Sequence, residues 1–217
     1  MMLVDEGKIP YLVGLDLGQA QDYTALIILE QHGAAPAHYN LRFIKRFPLR
    51  TSYQKIMDSV TRMLKSKEFD AHPSALIIDA TGVGAPVVDM FQRAKVRPVA
   101  VTITCGFEVT PVSGREFRVP KRDLVSTLRL LFDDQRLQIA EGLPDAKVLV
   151  DELLNFRLKV SDAGHDTYEP WREGEHDDLV LATALAAWYG ESQVRRSQPE
   201  GPNRHPNKRK RLIGAFH

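Results

Sequence analysis

The chain has 217 residues, of which 43% are hydrophobic and 26% are charged, and its formal net charge is +1. Its single cysteine, Cys105, excludes an intramolecular disulfide framework and a cysteine-based zinc knuckle, and it favours a reducing, intracellular setting. No stretch approaches the ~18 uninterrupted apolar residues of a membrane span. Residues 1–10 contain an early acidic pair and lack the pattern of a signal peptide. We predict them as a short lead before one globular domain.

The first predicted elements are three strands with short links, an arrangement that favours an antiparallel meander. They cover Tyr11–Asp16, Thr24–Glu30 and Asn40–Phe47. A helix is predicted over Ser52–Phe69, because apolar residues recur there at helical spacing. The next three elements alternate in type: a strand over Ala75–Asp79, a helix near 85–94 and a strand over Val99–Ile103.

Glycine and proline interrupt residues 105–119, which we therefore predict to be irregular. Two helices and a β-hairpin follow, and an Ala/Leu-rich helix ends the domain. The predicted ranges are a helix over 120–132, a helix over Asp145–Phe156, hairpin strands at 156–160 and 165–169, and a helix over Asp177–Tyr189. Together the elements predict an α/β fold with a mixed sheet of the five-stranded type, flanked by helices, with an added β-hairpin.

A basic tail follows the predicted domain, which we place at residues 11–191. Residues 192–217 are rich in Arg, Pro, Asn, Ser and Lys, a composition that buries too little surface to offset the entropy of ordering, so we predict disorder. Residues 195–217 hold seven Lys or Arg residues and one acid, whereas the rest of the chain holds 22 basic and 27 acidic residues. The asymmetry hidden in the net charge favours a polyanion or an acidic partner for the tail.

Acidic residues stand at the ends of predicted elements. Asp16 ends the first strand, Asp79 ends the fourth, and Asp177 and Asp178 open the last helix. Strand ends project side chains into the crevice where α/β sheets bind ligands. If the first and fourth strands are neighbours, Asp16 and Asp79 lie side by side, and a helix that begins at the same edge adds Asp177.

Carboxylates brought this close repel each other unless a cation joins them. Hard oxygen ligands select Mg²⁺ or Mn²⁺ over Zn²⁺. Two such ions about 3.5–4 Å apart activate water and stabilise the leaving oxygen of a phosphodiester. The acids therefore predict a two-metal site for phosphodiester hydrolysis.

Taken singly, each acid also has a simpler interpretation. An Asp at a strand end is often a turn residue. Asp177 and Asp178 at a helix start favour the positive end of the helix dipole, and His176 fits an exposed histidine beside the cap. The joint placement of the acids on two central strands and one late helix favours the shared site.

With these motifs in view, the chain resembles the nuclease domain of the large terminase subunit of tailed bacteriophages, which has a ribonuclease H-like fold. The resemblance covers roughly residues 10–190. It rests on three ordered segments: GLDLGQAQDYTALIIL at 14–29, LIIDATGVG at 76–84 and HDDLVLATALAAW at 176–188. The first segment alone is a weak signal, whereas the ordered trio is quite specific.

The resemblance implies a role for each matching residue. It makes Asp16, Asp79 and Asp177 the catalytic, metal-binding acids, and Asp178 an adjacent or alternative ligand, with two Mg²⁺ or Mn²⁺ ions as cofactors. Asp22 matches a further acid that orients water at the metal, and the turn interpretation stays open for it. Further candidates are His176 beside the metal ligands, and Lys121, Arg122, Arg209 and Arg211 as DNA contacts, although a solvated basic face is an alternative for Lys121 and Arg122.

The implied function is a metal-dependent endonuclease that cuts concatemeric double-stranded DNA during genome packaging, in the cytoplasm of a bacterial host and away from membranes. Full-length large terminases also carry a packaging ATPase with a phosphate-binding loop. No G-x-x-x-x-G-K-[ST] pattern occurs in this sequence, so we expect the nuclease part alone. Its expected partners are DNA and a separate packaging ATPase, a small terminase subunit or the portal.

Other functions stay open at the level of the sequence. A Holliday-junction resolvase or an RNA–DNA hybrid nuclease shares the fold, and comparing cleavage of a four-way junction, a hybrid and a duplex separates them. GLDLG followed by a hairpin also suits an actin-like or sugar-kinase phosphotransferase, which would bind ATP. A non-catalytic packaging module would bind DNA through its basic tail and never cleave it.

Overall fold

A mixed eight-stranded β-sheet forms the centre of the computed structural model, which describes residues 10–18, 22–82, 84–162 and 177–198. Within them the strands are β1 (Tyr11–Asp16), β2 (Thr24–His32), β3 (His38–Phe47), β4 (Ser74–Asp79), β5 (Val99–Thr104), β6 (Thr110–Ser113), β7 (Glu116–Pro120) and β8 (Leu137–Ile139). The helices are α1 (Tyr53–Leu64), α2 (Lys67–Asp70), α3 (Gly84–Arg93), α4 (Lys121–Asp133), α5 (Ala146–Asp162) and α6 (Asp178–Ser197).

The strand order is β6-β7-β5-β4-β1-β2-β3-β8. Strands β1, β2 and β3 form the predicted antiparallel meander. Strand β4 pairs with β1 in parallel, and β5 pairs with β4 in parallel. This topology confirms the predicted mixed α/β fold and makes the two acid-bearing strands, β1 and β4, neighbours at the centre of the sheet.

Side chains of the central strands alternate between two hydrophobic cores. On one face Leu12, Ile27 and Ile77 pack with α4, α5 and α6. On the other face Val13 and Leu76 pack with α1 and α3. Since successive side chains of a strand point to opposite faces, the last residues of β1 and β4 are directed toward the face that α6 covers.

Helix α6 crosses β1 at very short range. A Cβ atom added to Gly14 would lie 2.0 Å from the carbonyl oxygen of Ala182, so only glycine leaves room for the helix backbone. The helix presents Ala182 and Ala186 at this crossing, and their small side chains permit the close approach. The glycine thereby fixes how near the start of α6 comes to the end of β1.

A buried polar network holds the later part of α6 to the sheet. The guanidinium of Arg136, just before β8, donates two hydrogen bonds to the carboxylate of Glu191, at 2.8 and 3.1 Å. The hydroxyl of Tyr39 in β3 donates a third at 2.9 Å. We call these three residues the Glu191 network. All three are buried, and the Nε of Arg136 also lies 3.4 Å from a carboxylate oxygen of the exposed Asp134.

The structure corrects two of the predicted ranges in the first 120 residues. The helix expected over Ser52–Phe69 is divided into α1 and α2, because the backbone of Ser66 is extended (φ −75°, ψ 160°). Residues 105–119 are not wholly irregular: they contain β6 and most of β7, which pair as an antiparallel hairpin. Strand β7 forms because Phe117 and Val119 alternate into the core beside α6, a short pattern hidden between Gly114 and Pro120.

The predicted hairpin at 156–169 is wrong in its first strand. Helix α5 continues through Asp162, because the Arg, Leu and Lys of this segment are good helix formers and a five-residue alternation fits either structure. The second predicted strand, 165–169, lies outside the described residues. The three-residue strand β8 was not predicted; it adds to β3 in parallel and, with β6 and β7, enlarges the expected five-stranded type of sheet to eight strands.

The last helix is longer than its sequence pattern predicts. Residues 192–197, expected to be disordered, continue α6 to Ser197, since Val194 is buried in the core and Glu191 is anchored by Arg136. Residues 199–217, the rest of the basic tail, lie outside the described part of the chain. None of the helices within the described residues is long and apolar enough to span a membrane.

Candidate active site

The carboxylates of Asp16 and Asp79 meet at one edge of the sheet. Strands β1 and β4 are in parallel register with Leu15 opposite Ile78, so the next residue of each strand, Asp16 or Asp79, stands beside the other. The turn after β4 is fixed by the backbone N–H of Thr81, which donates to Asp79 Oδ1 at 2.8 Å. Both acids remain partly exposed at this edge.

Asp177 adds a third carboxylate from the start of α6. It occupies the N-cap position, and its carbonyl accepts the first helical hydrogen bond, from Leu181 N–H at 2.9 Å. Among the described residues no side-chain capping bond from Asp177 is present. The carboxylate is therefore not consumed by the usual capping role of such an Asp. We call Asp16, Asp79 and Asp177 the acid cluster.

The pKa values of all three acids in the cluster are raised. Burial, followed by repulsion from Asp79 and Asp177, raises the pKa of Asp16 well above its ordinary range. Burial also raises the pKa of Asp79, against hydrogen bonds from Thr81 that lower it. The pKa of Asp177 is raised by burial as well. Carboxylates held this way favour any cation that joins them.

Lys121 supplies a positive charge beside the acid cluster. It opens α4 directly after β7 and is partly buried. Burial lowers the pKa of its ammonium to about 8, although the charges of Asp177, Asp16 and Asp79 act in the opposite direction. The sequence suggested a phosphate contact for Lys121, and the structure places it at the acids themselves.

Asp178 has a different environment from Asp177. Its side chain is buried, and both of its oxygens accept hydrogen bonds from the guanidinium of Arg46 at the end of β3, at 2.7 and 3.0 Å. Arg46 also pairs with Glu152 of α5 and lies 4.9 Å from the centroid of the Tyr23 ring. As placed, Asp178 is bound to Arg46, so its role as a metal ligand stays a prediction that this geometry does not favour.

Sequence reasoning missed Arg46 and Glu152. Burial, together with the nearby charge of Asp178, raises the pKa of Glu152 to about 7, although the guanidinium of Arg46 acts to lower it. The backbone N–H of Val180 in the first turn of α6 also donates to Glu152, at 3.4 Å. Arg46 sits in an ordinary alternating strand and Glu152 in an ordinary helix, so neither carries a local signal of this role.

The remaining predicted site residues have separate environments. Asp22 is exposed, and its charge adds to the repulsion that raises the pKa of Asp16. Arg122 is turned toward the loop after β5, where its guanidinium lies 4.6 Å from the centroid of the Phe107 ring. His176, Arg209 and Arg211 lie outside the described residues, so their predicted roles stay predictions.

The donor chemistry of the acid cluster fits a hard divalent cation, because it offers only carboxylate oxygens at a partly open edge. The spacing is looser than coordination requires: within the described ranges, no three acidic, histidine or cysteine side chains are placed so that they could hold one ion. The side chains of Asp16, Asp79 and Asp177 fit Mg²⁺ or Mn²⁺ in charge and type, and they would have to close around it.

Comparisons with known proteins identify the family of this chain. The model of the terminase RNaseH-like domain matches residues 13–189. The large terminase subunit of Thermus phage G20c is 27% identical over 176 residues, which are 81% of this chain and 31% of that protein, and the large subunit of Thermus virus P23-45 has the same values. The chain thus spans about a third of the length of the curated relatives it matches.

Solved structures show the same fold at low sequence identity. The crystal structure of the large terminase nuclease from the thermophilic phage G20c has a TM-score of 0.53 at 17% identity and covers 81% of this chain and 80% of its own. The human cytomegalovirus terminase nuclease domain has a TM-score of 0.53 at 12% identity, covering 82% of each chain. The same viral domain, soaked with Mn, has a TM-score of 0.50 at 14% identity and covers 86% of each chain.

Proposed function

This chain belongs to the terminase family through its RNaseH-like domain at residues 13–189, and we propose that it is a divalent-metal-dependent endonuclease acting on double-stranded DNA. The observation that carries the proposal is the acid cluster. Three elements distant in sequence, β1, β4 and α6, bring Asp16, Asp79 and Asp177 to one partly open edge, and the pKa of each acid is raised. Perturbed carboxylates that lie close together are typical of a functional site.

In this proposal Asp16, Asp79 and Asp177 would hold two Mg²⁺ or Mn²⁺ ions. When bound there, the metal supplies the charge that activates water and stabilises a phosphodiester under attack. Support for the cofactor comes from the donor set and from the Mn-soaked viral terminase nuclease domain of the same fold. The position of Asp22 near Asp16, where it adds to the negative charge, supports a role for it in orienting water.

Two cations of the chain itself act at this edge. With a pKa of about 8, the ammonium of Lys121 is mostly protonated at pH 7, so its Nζ would donate hydrogen bonds to a phosphate oxygen that approaches the acid cluster. Arg46 binds both oxygens of Asp178 and thereby holds the first turn of α6, including the adjacent Asp177. Lys121 thus contacts substrate, whereas Arg46 positions a ligand.

Cutting of concatemeric DNA during packaging is the biological role we propose. Its support is the match to large terminase subunits, of which this chain covers about a third. A packaging ATPase, a small terminase subunit and the portal are the partners proposed with that role. Among the described residues, the edge that carries the acid cluster is partly open, which suits a polymeric substrate.

A plasmid-nicking assay tests the proposal. The full chain should relax supercoiled plasmid with Mn²⁺ or Mg²⁺ and not with EDTA. Asp16→Asn and Asp79→Asn should each reduce the rate at least about 100-fold. Substitution of residues that only support a metal ligand already reduces activity about 10–100-fold, and the loss of a ligand should cost more. Asp58→Asn, at an exposed acid of α1, is the matched control and should nick like the wild type.

The outcomes separate this function from its alternatives. Nicking by Asp16→Asn or Asp79→Asn at the wild-type rate would place the active site elsewhere. Cleavage of a four-way junction or an RNA–DNA hybrid in strong preference to duplex would indicate a different nuclease. If the wild type binds DNA but cleaves it with neither Mg²⁺ nor Mn²⁺, the protein is a non-catalytic packaging module.

A further inference from the structure

The loop between β5 and β6, residues 105–109, leaves the sheet beside the acid cluster. Strand β5 is registered with β4 so that Val101 pairs with Asp79. Two residues later, Ile103 N–H donates to Thr81 Oγ1 at 2.8 Å, and the same threonine holds Asp79. Cys105, the first residue of the loop, lies close enough to Lys121 to act on the pKa of its ammonium, in the upward direction. The loop therefore begins beside the acid cluster.

Phe107 is the most exposed large hydrophobic residue among those described, at 73%. A single exposed apolar side chain is ordinary on a protein surface, but this one is held in place. The Arg122 side chain donates a hydrogen bond to the carbonyl of Phe107, and its guanidinium stacks on the ring. Arg122 directly follows Lys121 in α4, so the residue that supports the ring is the sequence neighbour of the lysine beside the acid cluster.

The space in front of Phe107 is a shallow recess of about 440 Å³. Its lining consists of Thr104, Gly106, Phe107, Glu108, Thr110 and Arg118. An aromatic face offers stacking to any nucleobase. Arg118 and Glu108 add a donor and an acceptor, and a carboxylate accepts from base amino groups but repels phosphates. The mixture favours a base over a backbone phosphate.

We propose that Phe107 is a base-stacking residue, which receives an unpaired base of the DNA next to the phosphate at the acid cluster, with Arg122 supporting the ring from its other side. This inference rests on the proposed function for its substrate. It adds that the DNA is locally opened beside the cut, because the face of a paired base is covered by its neighbours in the duplex. Phe107 binds; it takes no part in the bond-breaking step.

The test uses the full chain in EDTA, so that cleavage does not interfere, and single-stranded oligonucleotides that contain 2-aminopurine, a base whose fluorescence falls on stacking. Binding by the wild type should quench the fluorescence. Phe107→Ala should lose the quenching and bind single strands about 10-fold more weakly, in the range of one lost base stack. Phe107→Trp should keep both. Phe132→Ala, at a 37% exposed phenylalanine at the other end of α4, is the matched control.

Retained quenching in Phe107→Ala would overturn the inference, and so would an equal loss of affinity for fully paired duplex, where no base is free to stack. Thermal melting should show Phe107→Ala folded like the wild type, because the ring is exposed. The result is independent of cleavage. Phe107-dependent quenching by a protein that never nicks plasmid would sustain the stacking role and reject the nuclease, whereas nicking without it would do the reverse.

Discussion

The two parts of α6 carry charged groups of opposite character. Near its start, the acid cluster places three carboxylates around one ammonium, that of Lys121, and the pKa of every acid in it is raised. Fourteen residues after Asp177, the Glu191 network matches one carboxylate with one guanidinium and one hydroxyl, all buried and joined at 2.8–3.1 Å. One site is electrically unbalanced and partly open, and the other is balanced and closed.

The difference indicates what each site does. A buried polar network stabilises a fold when each member has a partner, whereas surplus like charges destabilise it. The Glu191 network has the properties of a structural pin between α6, β3 and the segment before β8. The acid cluster reduces stability in the absence of a cation, which is the behaviour expected of a site that is completed by a ligand. The predictions below test this contrast, beginning with the largest expected effect.

Glu191→Ala should destabilise the protein by about 3–5 kcal/mol, because it leaves the buried guanidinium of Arg136 with only the exposed Asp134, at 3.4 Å, as a counter-charge. Chemical denaturation at pH 7 measures the loss. The double variant Glu191→Leu with Arg136→Met removes both charges and should be distinctly more stable than Glu191→Ala. A double variant less stable than Glu191→Ala would show that an unpaired Arg136 is not the cause of the loss.

Arg46→Met should destabilise by about 2–4 kcal/mol, somewhat less than a fully buried pair, because Arg46 is partly accessible. Asp178 and Glu152 then lose their common counter-charge, so the loss should be larger at pH 8 than at pH 6. Plasmid nicking should fall 10–100-fold, as for other residues that support metal ligands. Arg42→Met, at an exposed arginine of the same strand, is the control, and equal effects of the two would remove the special role of Arg46.

The unfolding free energy of the wild type in EDTA should fall as pH rises from about 5 to 8. The raised pKa of Asp16, and the pKa of about 7 for Glu152, mean that the folded state binds more protons than the unfolded state in this window, so deprotonation favours unfolding. Asp16→Asn should flatten the fall and be more stable than wild type at pH 8, by on the order of 1 kcal/mol. If the unfolding free energy of Asp16→Asn falls with pH as steeply as that of the wild type, the charge of Asp16 does not reduce the stability of the fold.

Mg²⁺ should stabilise the wild type at pH 8 and leave Asp16→Asn nearly unchanged. A ligand that binds only the folded state stabilises it by roughly 2.7 kcal/mol at a hundred times its Kd. Thermal melting with increasing Mg²⁺ measures the effect. Equal stabilisation of both proteins would locate the cation elsewhere.

Deleting residues 199–217 should have the smallest effect on the fold, because the deletion begins after α6 ends at Ser197. The deleted segment carries five Lys or Arg residues. If they contact DNA, the salt dependence of binding should weaken by up to about 4–5 in log–log slope, with nicking at low salt preserved. An unchanged slope would assign the tail to a protein partner or to no binding role.

The positions of the three acids in the fold can be predicted from the sequence for a physical reason, whereas their role as one site stays a prediction. Asp16 and Asp79 end apolar strands, and the period of two in each strand decides which face they take, so local pattern and parallel pairing together determine their meeting. Asp177 is marked by the helix start that follows it. The ordered motifs around these acids also predicted the family that the comparisons confirm.

Other features depend on packing between distant segments and left no local mark. Lys121 reaches the acids only because β7 pairs with β5 and delivers the start of α4 to that edge. Asp178 differs from Asp177 because its carboxylate is bound by Arg46, which is 132 residues away in the sequence. Strand β8 has three residues and exists only through its pairing with β3, so no periodicity of its own could reveal it.

The close contact of Gly14 with Ala182 fixes one point of α6, so a tilt of the rigid helix about this point would move its two ends in opposite directions. At 1.5 Å per residue, Asp177 lies about 7.5 Å from Ala182 on one side and Glu191 about 13.5 Å on the other. A shift of about 1 Å at Glu191 would therefore move Asp177 by about 0.5 Å in the opposite direction, near the tolerance that precise sites allow. The Glu191 network, which holds the far end of α6 to the sheet, therefore also restrains the position of Asp177.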